Sequence, residues 1–159
     1  MARAWVDLLV ILAVVALATP WLSSRDAPPP EPPQERLFAS LKAGDDETAR
    51  ALLAGHPQLL HSTDMYGRTA LHWAAMLGRA SLTQTLLERG APVLACSSNG
   101  NTPLHLAALG STEAHLDIGR LLLQAGAQPR AANRQGKTPL SNAEDQGTAA
   151  MVSLLRGGP

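Results

Sequence analysis

The chain has 159 residues, 13 basic and 13 acidic, and 45% of it is apolar. That is room for one folded domain with a core, and the balanced charge excludes attraction to nucleic acid or to an anionic membrane through net charge. One cysteine, Cys96, excludes an internal disulfide and a cysteine-built metal site; with one Phe and one Tyr, the core must rest on Leu, Ala and Val.

The first predicted element is an apolar segment. Leu8 to Ala18 is unbroken, and Ala4 to Leu22 gives 19 residues with Asp7 as the only charge. As a helix it would be about 28 Å long, close to the hydrocarbon thickness of a bilayer. Trp5 and Trp21 would sit near the two interfaces, where indole rings concentrate. Residues 1–23 are therefore read as a signal-anchor. The competing reading is a cleaved signal peptide, with Arg3 as n-region, Leu8 to Leu17 as h-region and Ala16-Leu17-Ala18 at the cleavage site. A soluble packing role is the third reading. Arg3 and the amino terminus, set against Arg25 and Arg36 beyond, place the C-terminal part of the chain on the non-cytoplasmic side, periplasmic or extracellular. Cleavage would instead leave a secreted or periplasmic soluble module. Residues 24–34 read as a proline-rich linker. Its Ala27-Pro28-Pro29-Pro30-Glu31-Pro32-Pro33 favours an extended polyproline II form spanning about 20 Å.

Beyond the linker the chain repeats itself. Gly67-Arg68-Thr69-Ala70-Leu71-His72 returns 33 residues later as Gly100-Asn101-Thr102-Pro103-Leu104-His105. It returns again after 36 residues as Gly136-Lys137-Thr138-Pro139-Leu140-Ser141. A fixed period of this size implies stacked supersecondary units, none of which buries its apolar face alone. Each unit reads as turn, helix, short loop, helix, extended loop. In the second unit Gly67 permits a tight turn, and Thr69 can cap a helix whose Leu71, Ala74 and Ala75 share one face. Leu82, Leu86 and Leu87 mark a second helix that Gly90 and Pro92 stop. The third unit repeats this with Leu104, Ala107, Ala108, Leu121 and Leu122; its interhelical loop, Leu109 to Ala114, is read as three residues longer. The fourth has Leu140, Ala143, Val152, Leu154 and Leu155. A first unit, with Leu37, Phe38, Leu41, Leu52 and Leu53, lacks the Thr-x-Leu-His phrase. Unit boundaries fall near 35–66, 67–99, 100–135 and 136–158.

The Thr-Pro-Leu-His-x-Ala-Ala phrase at this spacing, with Leu-Leu-x-x-Gly-Ala closing units, resembles the ankyrin repeat family over residues 35–158. The resemblance implies an all-α helix-turn-helix solenoid of about four repeats, with hairpin-like loops projecting from it. It also implies binding of a protein partner through loop tips and first helices. On that basis the candidate contact residues are Met65, Tyr66, Arg68, Ser98, Asn99, Asn101, Arg134, Gln135 and Lys137 at the tips. Trp73, Met76, Leu77, Leu106 and Leu109 join them from the first helices. Arg68, Arg134 and Lys137 would tilt this face positive. Gly67, Thr69, Leu71, His72, Gly100, Thr102, Pro103, Leu104, His105, Gly136, Thr138, Pro139 and Leu140 carry the structural motif, in which the imidazoles bond near Thr69 and Thr102. The chain departs from the pattern at Ala70, Ser141, Leu94 and Arg130, and the Asp before the turn, Asp64, becomes Ser97 and Asn133. These changes predict weaker turns and a looser C-terminal end.

No hydrolase nucleophile motif, phosphate-cradling glycine loop or zinc-protease helix is present. No catalysis, cofactor or metal is expected. A metal-dependent enzyme built on His56 and His61, beside the acidic triplet Asp45-Asp46-Glu47, is the least favoured alternative; interaction with a helix dipole accounts for the triplet. The expected function is binding of an unidentified protein partner by a monomeric module displayed at a membrane, or by an exported soluble inhibitor- or immunity-like form.

Overall fold

The computed structural model describes residues 31–157. The predicted membrane segment and most of the linker lie outside them. The described residues form α1 (Pro33–Ala43), α2 (Asp46–Gly55), a 3₁₀ helix η1 (Pro57–His61), α3 (Ala70–Met76) and α4 (Ala80–Glu88). Then come α5 (Pro103–Ala107), α6 (Glu113–Gln124), α7 (Pro139–Gln146) and α8 (Ala149–Gly157). Among these residues there is no strand, and no helix is long and apolar enough to cross a membrane.

The starts of the helices follow from local chemistry. Thr69, Thr102 and Thr138 are extended N-caps, and Pro103 and Pro139 take the first helical position, where a missing N–H costs nothing. The same tolerance lets α1 begin at Pro33, so the last two residues of the predicted linker are helical. Asp45 caps α2 by accepting from the Thr48 N–H at 3.0 Å. Hydrogen bonds from Thr48 hold its carboxyl below the ordinary range.

Helices α1, α3, α5 and α7 pack as one row, and α4, α6 and α8 continue a second. The members of each pair, α1 with α2 through α7 with α8, also pack together. Ala74, Ala75, Ala107 and Ala108 are fully buried, and their small side chains let neighbouring helices approach closely. Around them Leu37, Leu41, Leu53, Leu71, Leu82, Leu86, Leu104, Ile118 and Leu122 are sealed from solvent. Each such side chain contributes about 1.5–3 kcal/mol of transfer free energy. Between units one and two, Arg79 Nη1 donates to Gly44 O at 3.2 Å and Arg50 Nη2 to Ser81 Oγ at 2.9 Å.

The 36-residue spacing comes only in part from a longer loop. The segment between the helices, 108–112, is two residues longer than 77–79, but α5 is two residues shorter than α3, and the net three residues appear as the 12-residue α6 against the 9-residue α4. Thr112 precedes α6 and His115 sits in its first turn.

Candidate interaction face

Three loop tips project in series, and each closes with the same backbone bonds. Asp64 N donates to Arg68 O at 2.9 Å, Ser97 N to Asn101 O at 2.9 Å, and Asn133 N to Lys137 O at 2.8 Å. Gly67, Gly100 and Gly136 turn the chain at φ of 69°, 77° and 74°, where a side chain is strained. Adjacent tips are laced together: Ser98 N donates to Tyr66 O at 2.8 Å, and Arg134 N to Asn99 O at 3.1 Å.

The first tip is organised by Asp64. Its Oδ1 accepts from the N–H groups of Tyr66 and Arg68 at 2.8 and 2.9 Å. Its Oδ2 accepts from Arg68 Nε at 3.0 Å and Trp73 Nε1 at 3.1 Å. Burial alone would raise the Asp64 pKa, but the bonds from Arg68 and Tyr66 and the Arg68 charge outweigh it and hold the carboxyl below its ordinary range. The Arg68 guanidinium lies 4.7 Å from the Tyr66 ring centre and 4.2 Å from that of Trp73.

The other tips reach the same shape with neutral groups. Asn133 Oδ1 accepts from Gln135 N and Lys137 N, both at 2.9 Å, and its Nδ2 donates to Asn101 Oδ1 at 2.6 Å. Ser97 Oγ accepts only from Asn101 N, at 3.2 Å. The weakening predicted for both later turns is therefore confined to Ser97; the amide of Asn133 reproduces what a carboxylate does for the backbone.

Histidines fasten the tips to the helices. Nδ1 of His72 accepts from Thr69 N at 3.1 Å, which leaves Nε2 protonated and donating to Asn101 O at 2.8 Å. His105 repeats the arrangement with Thr102 N at 3.1 Å and Lys137 O at 3.1 Å. Both rings are fully buried, and burial holds their pKa values below the ordinary 6.5. At the fourth unit Ser141 Oγ accepts from Thr138 N at 2.9 Å and closes the cap locally. A third tie goes unpredicted by the sequence pattern: His115 Nε2 meets Met76 O at 3.3 Å while Nδ1 meets Thr112 Oγ1 at 2.6 Å. A Cβ on Gly110 would collide with this ring. The signal for it is the Thr-x-x-His spacing, which 69–72, 102–105 and 112–115 share.

These contacts divide the predicted partner residues. Met65 and Tyr66 are 83% and 55% exposed, and Leu77 and Leu109 are also exposed. Ser98, Asn99, Arg134, Gln135 and Lys137 are exposed, Met76 and Asn101 half-buried. Trp73 and Leu106 are only 8% exposed, so each offers little surface of its own to a partner. The Arg68 side chain is 20% exposed and paired with Asp64. Lys137 is ion-paired with Asp145, so the predicted positive tilt shrinks to Arg134 among the three. A groove of about 180 Å³ runs between the first two tips, lined by Tyr66, Arg68, Ser97, Asn99, Asn101 and Leu106. His56 and His61 stand just before and at the end of η1, and no group of three or more metal-ligating side chains forms among the described residues.

Stacked helix pairs that present a laced row of loop tips define a repeat scaffold for binding other proteins. A model of ankyrin repeats matches residues 37–133 as three copies. The chain belongs to the ankyrin repeat family, and it is a protein–protein interaction module in the sense that this family is. It is similar to protein phosphatase 1 regulatory subunit 27 of Mus musculus, 30% identical over 126 residues, covering 79% of each chain. It is also similar to ankyrin repeat and SOCS box protein 16 of Mus musculus, 39% identical over 92 residues, 55% of this chain and 20% of that one. The E3 ubiquitin-protein ligase XB3 of Oryza sativa subsp. japonica is 38% identical over 92 residues, 57% of this chain and 20% of the ligase. The chain thus spans a fifth of the length of the latter two and about four fifths of the phosphatase subunit.

Proposed function

We propose that this chain is a non-catalytic, monomeric binding module held at a membrane by its N-terminal apolar segment, with the repeats on the non-cytoplasmic side. Its protein partner docks on the loop tips, with Met65 and Tyr66 as the anchor and Ser98, Asn99, Arg134 and Gln135 as a polar continuation. The observation that carries this reading is the exposure of Met65 and Tyr66 on a tip whose own charges are satisfied internally. The tyrosine ring, with two rotatable bonds, loses little entropy on binding, the thioether adapts to an irregular partner surface, and both bury much apolar area. The relative of comparable length is named as a regulatory subunit, which supports action through a bound protein.

Replacing Met65 and Tyr66 by Ala should lower partner capture at least about tenfold, the loss of one modest hot spot. Gln84→Ala on α4, in the second helix row, should leave capture unchanged. Equal losses at both places would sink the assignment of the face. Arg68 is unsuited to this test because its removal disturbs the turn itself. The small-x-small site at Ala16-Leu17-Ala18 favours the exported soluble form as the second reading. The intact mass from the membrane and soluble fractions of the host decides between them: full length with the membrane supports the tether, and loss of about the first 18 residues supports export.

A further inference from the structure

The groove between the first two tips has most of its acceptors occupied and several of its donors free. The carbonyls of Tyr66, Arg68, Ser97, Asn99, Asn101 and Leu106, which line it, each accept a backbone N–H from within the protein. Two side-chain oxygens are occupied as well. Ser97 Oγ accepts from Asn101 N at 3.2 Å, and Asn101 Oδ1 accepts from Asn133 Nδ2 at 2.6 Å. The direction of the second bond is fixed by its neighbours. Asn133 Oδ1 is held by two backbone N–H groups, so its Nδ2 faces Asn101, which must answer with its oxygen.

The donors left over include a cation. Arg68 gives Nε to Asp64; its Nη1 meets the Met76 sulfur, a weak acceptor, at 3.8 Å, and its Nη2 meets no acceptor among the described residues. Asn101 Nδ2 and the Ser97 hydroxyl hydrogen also lack an acceptor among them. Among the described residues Thr83 Oγ1 alone is a buried side-chain nitrogen or oxygen without a partner; the free nitrogens of Arg68 and Asn101 are therefore open to solvent. Asp64 does not compete for an incoming donor, since each of its oxygens already accepts two bonds. No acid lines the groove. Arg134, exposed and without an ion pair among the described residues, stands at the next tip.

We infer that this groove receives an acidic side chain, Asp or Glu, of the protein partner. A carboxylate brings two acceptor oxygens and no hydrogen, which matches a guanidinium beside an amide N–H₂ and a hydroxyl. Charge-assisted bonds of this kind are about twice as strong as neutral ones. An amide of the same shape would set its own N–H₂ against these donors. The Tyr66 and Trp73 rings, 4.7 and 4.2 Å from the guanidinium, hold it in place, so little of its freedom remains to be lost on binding. The assignment rests on the loop-tip reading of the function. With Met65 and Tyr66 on the first tip and Asn99 and Arg134 beyond the groove, the partner's chain crosses it, and a side chain rather than a chain end enters.

NMR titration of the full chain in uncharged detergent micelles, read at the backbone amides of 97–101, tests the groove. The probes are acetyl-Ala-Glu-Ala-amide, its Asp and Gln counterparts, and acetyl-Ala-Ala-Ala with a free C-terminal carboxylate. The Glu or the Asp peptide should bind at least about tenfold more tightly than the Gln peptide. Ser97→Asp sets a carboxylate of the chain's own beside Arg68 and should abolish the shifts while the protein stays folded. Asn101→Asp keeps an oxygen for Asn133 but puts a like charge where the free N–H₂ was; it should weaken the acidic peptides at least about tenfold. Equal binding of acid and amide peptides, no shift with any peptide, or full affinity in both variants overturns the inference, as does a preference for the free chain end. Should a variant fail to fold, the comparison of peptides on the unaltered protein still decides. Absent peptide shifts, with capture lost on replacing Met65 and Tyr66, would overturn this inference alone. Peptide shifts with undiminished capture would support the groove as a carboxylate site and sink the Met65 and Tyr66 anchor.

Discussion

At the tip spanning 64–68 one carboxylate accepts four hydrogen bonds, two from backbone and two from side chains. At the tip spanning 97–101 one hydroxyl accepts a single bond at 3.2 Å. Both tips close through the same carbonyl-to-amide pair and both turn on a glycine. The backbone path is thus set by the glycine and the threonine cap, whereas the side chain before the turn sets how firmly the tip is held. The first tip is held chiefly from within, by Asp64, and displays Met65 and Tyr66 on a rigid base. The second depends on its neighbours: Tyr66 O on one side, Asn133 Nδ2 on the other, and His72 behind.

The sharpest way to break this contrast is Asp64→Ala. It leaves the Arg68 guanidinium and the Trp73 indole N–H without their acceptor in a mostly buried site. The expected loss is about 3 kcal/mol, at the lower end of what removal of one partner from a buried ion pair costs. Ser97→Ala should lose only about 0.5–1 kcal/mol, the net worth of an ordinary hydrogen bond. Urea unfolding followed by circular dichroism measures both. Similar losses would mean that Asp64 holds its tip no more firmly than Ser97 does.

A second contrast lies in the lacing between tips. A Cβ built on Gly100 falls 2.9 Å from Arg134 N, whereas one on Gly136 meets nothing within 4 Å. Gly136→Ala should therefore cost about 1–2 kcal/mol from the positive φ alone. Gly100→Ala should cost visibly more, because the third tip must also move aside. Equal melting temperatures for the two variants would show that the lacing yields freely.

The scaffold is legible in the sequence because it rests on local rules. Glycine at a positive φ, threonine before a helix, and Leu and Ala at helical spacing each announce themselves without knowledge of the neighbours. The face is legible only where a side chain points at water. Arg68 and Trp73 are residue types common at binding hot spots, yet both are drawn inward by Asp64, which lies four and nine positions away in sequence. Lys137 is likewise neutralised by Asp145, eight residues on and in the next helix. Such pairings depend on where a loop folds back over a helix, and a periodic pattern does not encode that. Asn133 misleads for another reason: the turn needs an oxygen at the right distance, and an amide supplies it as well as an acid does.

The smallest and most constructive test is to give the second tip what the first one has. Ser97→Asp would supply one oxygen to the N–H groups of Asn99 and Asn101, as Asp64 does for Tyr66 and Arg68. Its other oxygen would meet the groove that Ser97 shares with Arg68, whose guanidinium is a donor. Ser97→Asn offers the same first oxygen but places an N–H₂ group toward that cation. In the third tip the corresponding N–H₂ finds the Asn101 carbonyl oxygen; here it would find another donor. The acid should therefore stabilise the protein by about 1 kcal/mol and the amide by less, although both mimic the turn equally well. The gap between them should narrow as salt is raised, since part of it is the attraction of a partly exposed ion pair. If the amide matched the acid at low salt, the turn oxygen alone would account for the firmness of the first tip, and Arg68 would be a passenger in it.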